Sequence, residues 1–432
     1  MKNKIYIKTF GCQMNTYDTE LIQSILLEAG FSLTPTYQDA KIILFNTCSV
    51  RENANNKVFG QLHEINHEIK NNEPIFGLLG CMATNFKTEL LEDKKAKIDF
   101  ILGPDNYKEL PIIINKLLQA KEKIFSIEEK SENYEDIFPK RIKGPTALIA
   151  IMRGCDNFCS YCVVPFTRGR ERSRPQESIL QEIKKLILDG VKEITLLGQN
   201  VNSYQHNNVN FTALIEKISN LPGLERIRFV SPHPKDFSKD LIYLMKERKN
   251  ICKSLHLPLQ SGSNQILKLM NRTYTKEGYL DLITLIKQEI PKIAITTDII
   301  VGFPNETEAN FQDTVEVFKK VEFDSAFIFK YSPRKLTAAA KNFQDNVSEA
   351  SKTERIVFLN SLQKEFSLKK NQAYLNKFYD ILIEKKSIRK NTLCFHGRTD
   401  SNKLVLINNA ILNVGEITPV RITSCSPHML FG

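Results

Sequence analysis

Residues Met152 to Arg174 read MRGCDNFCSYCVVPFTRGRERSR, with cysteines at 155, 159 and 162 and four arginines among the last seven residues. A C-x3-C-x2-C loop can wrap one corner of a four-iron cube and supply three thiolates, leaving the fourth iron without a protein ligand. Such an iron can chelate a small molecule. Structural zinc, the minor alternative, is normally closed by four protein ligands. The loop holds no histidine, however, and the next cysteine, Cys252, lies ninety residues downstream.

The loop follows ALIAIM, the first of six apolar stretches that continue with EITLLG, RIRFVS, SLHLPL, AITTDIIVG and AFIFKYS. Amphipathic segments such as SILQEIKKLILDG and EGYLDLITLIKQEI separate them, so the alternation predicts six strand-helix units. A partial (βα)6 barrel is expected over 146–370, with reactive groups at the carboxyl ends of its strands. Polar residues collect there: Cys155 after the first strand, Gln199 and Asn200 after the second, Ser231 and His233 after the third. Gln260 and Ser261 follow the fourth, Gly302 the fifth and Arg334 the last. Each has a bland explanation by itself, and His233 between two prolines can be a structural loop histidine. Their shared topological position makes them the candidate cofactor-binding face.

Upstream, over 1–120, a shorter unit recurs: a strand, a cysteine, a helix. KIYIKTF leads to Cys12, KIILFNT to Cys48 and IFGLLG to Cys81, with IDFILG as a fourth strand. Alternating strands and helices predict a parallel α/β sheet, whose ligands sit beyond the carboxyl ends of the strands. Single cysteines at strand ends are often only small residues that fit. Three in the same place favour a shared metal site, provided the strands are neighbours.

The charged, weakly periodic stretch 121–145 reads as a linker. After a long helix from about Ser348 to Lys370, residues 371–432 alternate in short segments with Gly and Asn turns, which predicts a small all-β barrel. From 368 onward ten basic residues face four acidic ones, within a chain of 432 residues and net charge +11. A polyanionic partner is the implied class, although solvated surfaces carry similar surpluses. Lys385, Lys386, Arg389, Lys390 and Arg398 are candidate phosphate contacts, and Phe395 is either a stacking surface or core. Arg168, Arg170, Arg172 and Arg174 could meet the same polyanion where they leave the cysteine loop, RNA by the resemblance given below, or could pair with nearby carboxylates such as Glu171 and Glu177.

Nine cysteines, an odd number, in a chain without a signal-like apolar start point to reduced thiols and a cytoplasmic location, not a disulfide framework. No apolar run is long enough to span a bilayer.

The C-x3-C-x2-C loop in this topological setting resembles that of the radical S-adenosylmethionine enzymes. GCQMNTYDTE at 11–20, NTCSVRENA at 46–54, GLLGCMA at 77–83, LLGQNVNSY at 196–204 and TTDIIVGFPNETE at 296–308 narrow the resemblance to the methylthiotransferases, and best to the MiaB type that modifies transfer RNA. The likeness spans nearly the whole chain, in the order N-terminal domain, radical domain, TRAM barrel. It implies two [4Fe-4S] clusters, one radical-generating on Cys155, Cys159 and Cys162, and a second on Cys12, Cys48 and Cys81. It also implies that S-adenosylmethionine supplies both a methyl group and a 5′-deoxyadenosyl radical. The implied substrate is N6-isopentenyladenosine beside the anticodon of tRNA, methylthiolated at C2. An electron donor and a sulfur source, neither identified by any motif, would be further partners of a monomer. Leu336 stands where the family pattern has glycine, while Tyr331, Arg334 and Thr337 match. Cys252, Cys394 and Cys425 match no cluster motif. The alternatives are a sister enzyme acting on threonylcarbamoyl-adenosine or a ribosomal-protein aspartate, and a noncatalytic iron-sulfur protein that binds RNA.

Overall fold

The computed structural model describes residues 3–49, 52–69, 74–85, 97–119, 124–126, 131–141, 144–389, 392–408 and 411–432. Two compact units emerge: Met1–Ile142 with Met152–Phe158 and Cys162–Ser178, and Lys143–Ile151 with Cys159–Tyr161 and Ile179–Gly432.

The first unit is built on one parallel sheet of β1 (Lys4–Thr9), β2 (Ser32–Leu33), β3 (Ile42–Thr47), β4 (Ile75–Gly80), β5 (Phe100–Leu102) and β6 (Ile124–Ser126). Their order is β2-β1-β3-β4-β5-β6, so β1, β3 and β4 are neighbours, as the shared metal site requires. All six residues of β3 are buried. A strand covered on both faces shows a continuous apolar run instead of alternation, which explains IILF. Val58, Leu62 and Ile65, one stripe of the helix Glu52–Glu68, close over Ile43, Phe45, Leu78 and Ile101.

The stretch 121–145, read as a linker, is structured where it is described. Residues 124–126 form the sixth strand, and Tyr134 and Ile137 are buried. The Tyr134 hydroxyl donates to Pro104 O (2.9 Å) and accepts from Tyr107 N–H (3.0 Å), while its ring stacks on Tyr107. Dense charge hid these apolar anchors. Within this unit β8 (Met152–Arg153) pairs antiparallel with β9 (Arg172–Ser173), zipping together the two stems of the cysteine loop.

In the second unit β7 (Thr146–Ala150), β10 (Glu193–Leu197) and β13 (Arg226–Phe229) form one parallel sheet. A second comprises β14 (Ser254–His256), β15 (Ala294–Val301) and β16 (Ser325–Lys330). One parallel bridge, Ile227 to Ile251, lies between the two triplets. A helix follows each of the six strands, giving the expected (βα)6 order, with a small hairpin of β11 (Gln205–His206) and β12 (Val209–Asn210) after the second. Helix starts are capped by Asn210, Ser238, Thr275, Thr307 and Ser348, whose side chains each accept a backbone N–H.

The C-terminal sheet runs β20 (Ile417–Arg421), β17 (Phe378–Arg389), β18 (Thr392–Arg398), β19 (Leu404–Asn408), β22 (Leu430–Phe431), β21 (Ser424–Cys425). Its two outermost strands, β20 and β21, are consecutive in the chain and only Ile422 and Thr423 separate them. The sheet must therefore curl on itself, around Ile381, Ile383, Phe395, Val405, Ile407, Val420 and Leu430. Phe395 is thus core and not a stacking surface.

Buried charge fastens this domain to the barrel wall. Arg226 donates to Arg398 O (2.8 Å) and Asp380 O (2.7 Å), and Arg228 to Thr399 O and Asp400 O (both 2.8 Å), with Glu193 beside them at 2.9 Å from Arg228 Nε. Replacing Arg228 with alanine strands two carbonyls and leaves Glu193 only the longer 3.9 Å contact with Arg226, an expected loss of roughly 3 kcal/mol. Denaturant titration should show that loss, with proteolysis releasing the 372–432 region first.

Candidate metal centres

Cys48 and Cys81 follow β3 and β4 directly, and Cys12 follows β1 after Phe10 and Gly11. Close approach of these strand ends explains the residue before Cys12. Gly11 has φ +108°, and a Cβ there would lie 2.2 Å from Cys48 Cβ. Only glycine tolerates both the left-handed backbone and the crowding. Cys48 and Cys81 are buried and Cys12 is exposed. Hydrogen bonding from the Cys48 thiol, helped by the positive field of Arg168, draws the Cys12 pKa down to about 6. Burial pushes the Cys81 thiol up, against the pull of Arg168.

Around these thiols lies a buried ionic group. Asp18, fully buried, accepts from Arg153 Nη2 (2.7 Å) on one oxygen and from Arg168 Nη2 (2.8 Å) on the other. Both guanidiniums are at most 4% exposed, so two cations share one carboxylate. Arg168 Nε also lies 3.2 Å from Cys81 Sγ, and its Nη1 is buried without a partner. A buried surplus of positive charge is costly unless an anion answers it. Among the described residues no three His, Cys, Asp or Glu side chains close around a single metal ion. The chemistry of the donor set, three thiols facing surplus positive charge, fits an anionic iron-sulfur cluster.

The C-x3-C-x2-C loop starts on the same kind of cradle. Gly154 has φ +80°, and a Cβ would meet Arg170 O at 1.9 Å, because Cys155 N–H donates to Gly169 O across the loop stems. The Asn157 amide lies 3.6 Å from Cys155 Sγ. Residues 159–161 belong to the second unit, where they are stitched down. Ser160 N–H donates to Met270 O (2.9 Å), its hydroxyl to Leu269 O (2.8 Å), and its carbonyl accepts from Ala339 N–H (2.7 Å). Arg272 Nη1 lies 3.3 Å from Cys159 Sγ, and its other nitrogens donate to Tyr274 Oη and Pro258 O. A guanidinium with no carboxylate in that set fits an anionic sulfur.

The residues of the candidate cofactor face come after the carboxyl ends of the barrel strands. Asn200 is buried and donates to Asp236 Oδ2 (2.9 Å), and Gln199 precedes it. Ser231 and Gln260 hold left-handed backbones, φ +60° and +68°, a strain that gathers at functional sites. Buried Ser261 accepts Ser263 N–H, Gly302 N–H donates to Glu306, and the Arg334 carbonyl accepts from both Thr337 N–H and its hydroxyl. The His233 ring packs edge-on to Tyr274 at 5.6 Å. Burial, then Arg272 and Lys235, drive its pKa down to about 2, so it is neutral. Its Nδ1 accepts Lys235 N–H, which leaves the proton on Nε2.

The arginine strip is different from the exposed surface expected for RNA. Arg168 is buried as described, Arg172 pairs with Asp105 at 2.8 Å, and buried Arg174 donates to Tyr17 Oη (3.1 Å) and Ser178 Oγ (2.8 Å). Only Arg170 is exposed, beside Asp156 and over the Phe158 ring. In the C-terminal barrel Lys385 and Lys386 are exposed, while Arg398 leans on Glu384. Lys390 and the side chain of Arg389 lie outside the described residues.

Comparison with known proteins follows the same three parts. The chain matches the Radical SAM superfamily over residues 149–318, the uncharacterized protein family UPF0004 over 4–103 and the TRAM domain over 372–432. It is 42% identical to the tRNA-2-methylthio-N(6)-dimethylallyladenosine synthase of Parabacteroides distasonis, across 100% of this chain and 95% of that protein. The synthase of the same name from Caldicellulosiruptor saccharolyticus is 44% identical, across 100% and 92%. The chain belongs to this synthase family.

Among solved structures, the radical S-adenosylmethionine methyltransferase TsrM from Kitasatospora setae aligns with a TM-score of 0.60 at 14% identity, over 79% of this chain and 74% of that one. The cobalamin-dependent S-adenosylmethionine radical enzyme OxsB aligns at 0.56 and 15%, over 85% and 56%. Identity so low speaks to fold alone. The sequence reading passed over Asp18, Arg153, Arg272 and Tyr274. MNRTYT carried a signal only in an arginine with no carboxylate near it in the sequence.

Gly11→Ala should cost roughly 1–3 kcal/mol in backbone strain before the clash with Cys48 is counted. Iron bound per chain, assayed with Cys155, Cys159 and Cys162 replaced by alanine, should fall accordingly. Full iron content would show that the strand ends have room to spare.

Proposed function

We propose that this chain transfers a methylthio group to C2 of N6-isopentenyladenosine beside the anticodon of transfer RNA, using two four-iron clusters and S-adenosylmethionine. Cys155, Cys159 and Cys162 would hold the radical-generating cluster, and Cys12, Cys48 and Cys81 the second. The observation that carries this reading is the pair of thiol trios: one in a C-x3-C-x2-C loop after the first barrel strand, the other at the ends of three adjacent parallel strands. Full-length likeness to the synthases supports the same substrate class.

An open-iron cluster, when bound, supplies the electron that cleaves S-adenosylmethionine and so gives access to an unactivated C–H bond. The chain's own residues orient and neutralise. Arg272 fixes the Cys159 sulfur and offsets its charge, and the hydrogen bonds of Ser160 hold the loop to the barrel. Asn200, His233, Gln260 and Gly302, with Gln199, Ser231 and Arg334, form the face for the small cofactor. Burial and the nearby Arg272 and Lys235 favour the neutral form of His233, whose Nε2 would then be a donor on that face.

The division of labour follows the domains read at 1–120, 146–370 and 371–432, with 121–145 between them. In the last of these, exposed Lys385 and Lys386 favour phosphate. Phe378, 67% exposed, is a better stacking surface than buried Phe395. An anticodon loop suits such a surface because its bases can be splayed out for chemistry. Arg170 is the one arginine of the strip left for RNA. Among the described residues no helix is long and apolar enough to cross a membrane. A tRNA substrate favours the cytoplasm, with the chain acting as a monomer alongside an electron donor and a sulfur source.

Alanine at Cys155, Cys159 or Cys162 should abolish 5′-deoxyadenosine formation, and undiminished formation would sink the radical assignment. Mass spectrometry of tRNA nucleosides should show the methylthiolated isopentenyladenosine vanish when the gene is deleted. Loss of another methylthio nucleoside would point instead to a sister substrate. Replacing Lys385 and Lys386 with alanine should weaken tRNA binding and flatten its dependence on salt, by about 0.7 in log–log slope for each single-strand phosphate that is no longer neutralised. An unchanged slope would remove them from the interface.

A further inference from the structure

We propose that Arg168 is a positioning residue for the N-terminal thiol trio: delivered by the loop that carries the other trio, it donates to Cys81 and sets the reduction potential of the cluster. The inference rests on the reading that Cys12, Cys48 and Cys81 hold an iron-sulfur cluster.

Arg168 ends the short helix Val164–Arg168, six residues beyond Cys162, and Gly169 with φ +70° turns the chain away behind it. Its guanidinium is spent within the first unit. Nε faces Cys81 Sγ at 3.2 Å, and Nη2 donates to Asn15 Oδ1 (2.9 Å) and Asp18 Oδ2 (2.8 Å). Asn15 and Asp18 are one turn apart on the helix that starts just after Cys12, and the Cys12 sulfur lies 3.7 Å from the same Asn15 oxygen. The second oxygen of Asp18 receives Arg153, two residues before Cys155. One carboxylate therefore grips both stems of the C-x3-C-x2-C loop, and one of the two arginines it grips touches a thiol of the other trio.

Charge decides what this contact does. Arg172 is already matched by Asp105, and burial keeps Tyr107 and Tyr134 protonated, so neither tyrosine answers the second guanidinium. Arg168 Nη1 remains a buried donor without an acceptor. A cluster held by three thiolates is anionic and gains a further negative charge on reduction. A fixed cation and an N–H···S bond stabilise the reduced form more than the oxidised one. Arg168 therefore raises the potential, and Asp18, by partly cancelling it, lowers the potential.

The opposed signs make the test. The full-length chain with Cys155, Cys159 and Cys162 changed to alanine would be reconstituted anaerobically with iron and sulfide and titrated electrochemically, the reduced cluster being read by electron paramagnetic resonance. Absence of iron in this parent would refute the cluster reading itself. With iron bound, Arg168→Gln should shift the balance at least tenfold toward the oxidised form, a potential lower by about 59 mV for one electron. Asp18→Asn should shift it toward the reduced form, and Arg168→Lys should restore much of the parent balance by keeping the charge. An unchanged potential in Arg168→Gln, or shifts of the same sign in Arg168→Gln and Asp18→Asn, would overturn the proposal. Should Arg168→Gln fail to fold or load, Asp18→Asn alone decides: an upward shift supports the assignment and no shift defeats it.

Discussion

Asp18 is held between Arg153 and Arg168 in the interior of the first unit, and the three groups cannot be separated without stranding a buried charge. That requirement fixes several pieces at once. The helix from Gln13 to Glu28 keeps its register behind Cys12. The stems of the C-x3-C-x2-C loop stay paired as β8 and β9, and the guanidinium of Arg168 stays on Cys81. A single carboxylate thus orders residues drawn from distant parts of the sequence.

Strand order imposes a second constraint. Parallel strands deliver their following residues to one edge, and because β1, β3 and β4 are adjacent their three cysteines arrive together. Crowding at that edge accounts for Gly11, just as crowding between the loop stems accounts for Gly154. Each thiol trio also receives one arginine on one sulfur, Arg168 on Cys81 and Arg272 on Cys159. A hydrogen-bonding cation beside an anionic cluster both orients the ligand and tunes its electronics, which is how outer partners act at metal sites generally.

The C-terminal barrel is attached through polar contacts of unusual depth. Arg226 and Arg228 stand in register opposite Glu193 and Thr195 on β10 and reach carbonyls of 380 and 398–400. Lys403 adds an ion pair to Asp324 at 2.8 Å, while Lys385 and Lys386 stay exposed at the surface.

By itself the sequence determined the six cysteines, their position after strands, the strand-helix alternation and the order of the three parts. All of these are local: periodicity and spacing within a few residues report which side is buried and where a strand ends. Tertiary structure alone decided which charges face water. The arginines at 168, 172 and 174 look like a solvated strip because their partners, Asp18, Asp105 and Tyr17, lie far upstream in the chain. Tyr134 is hidden among charges for the same reason, its contacts being Pro104 and Tyr107. Phe395 could be read either way because an alternating strand does not say which of its faces is turned inward until the sheet curls. Burial and charge pairing are properties of distant contacts, and no window of sequence contains them.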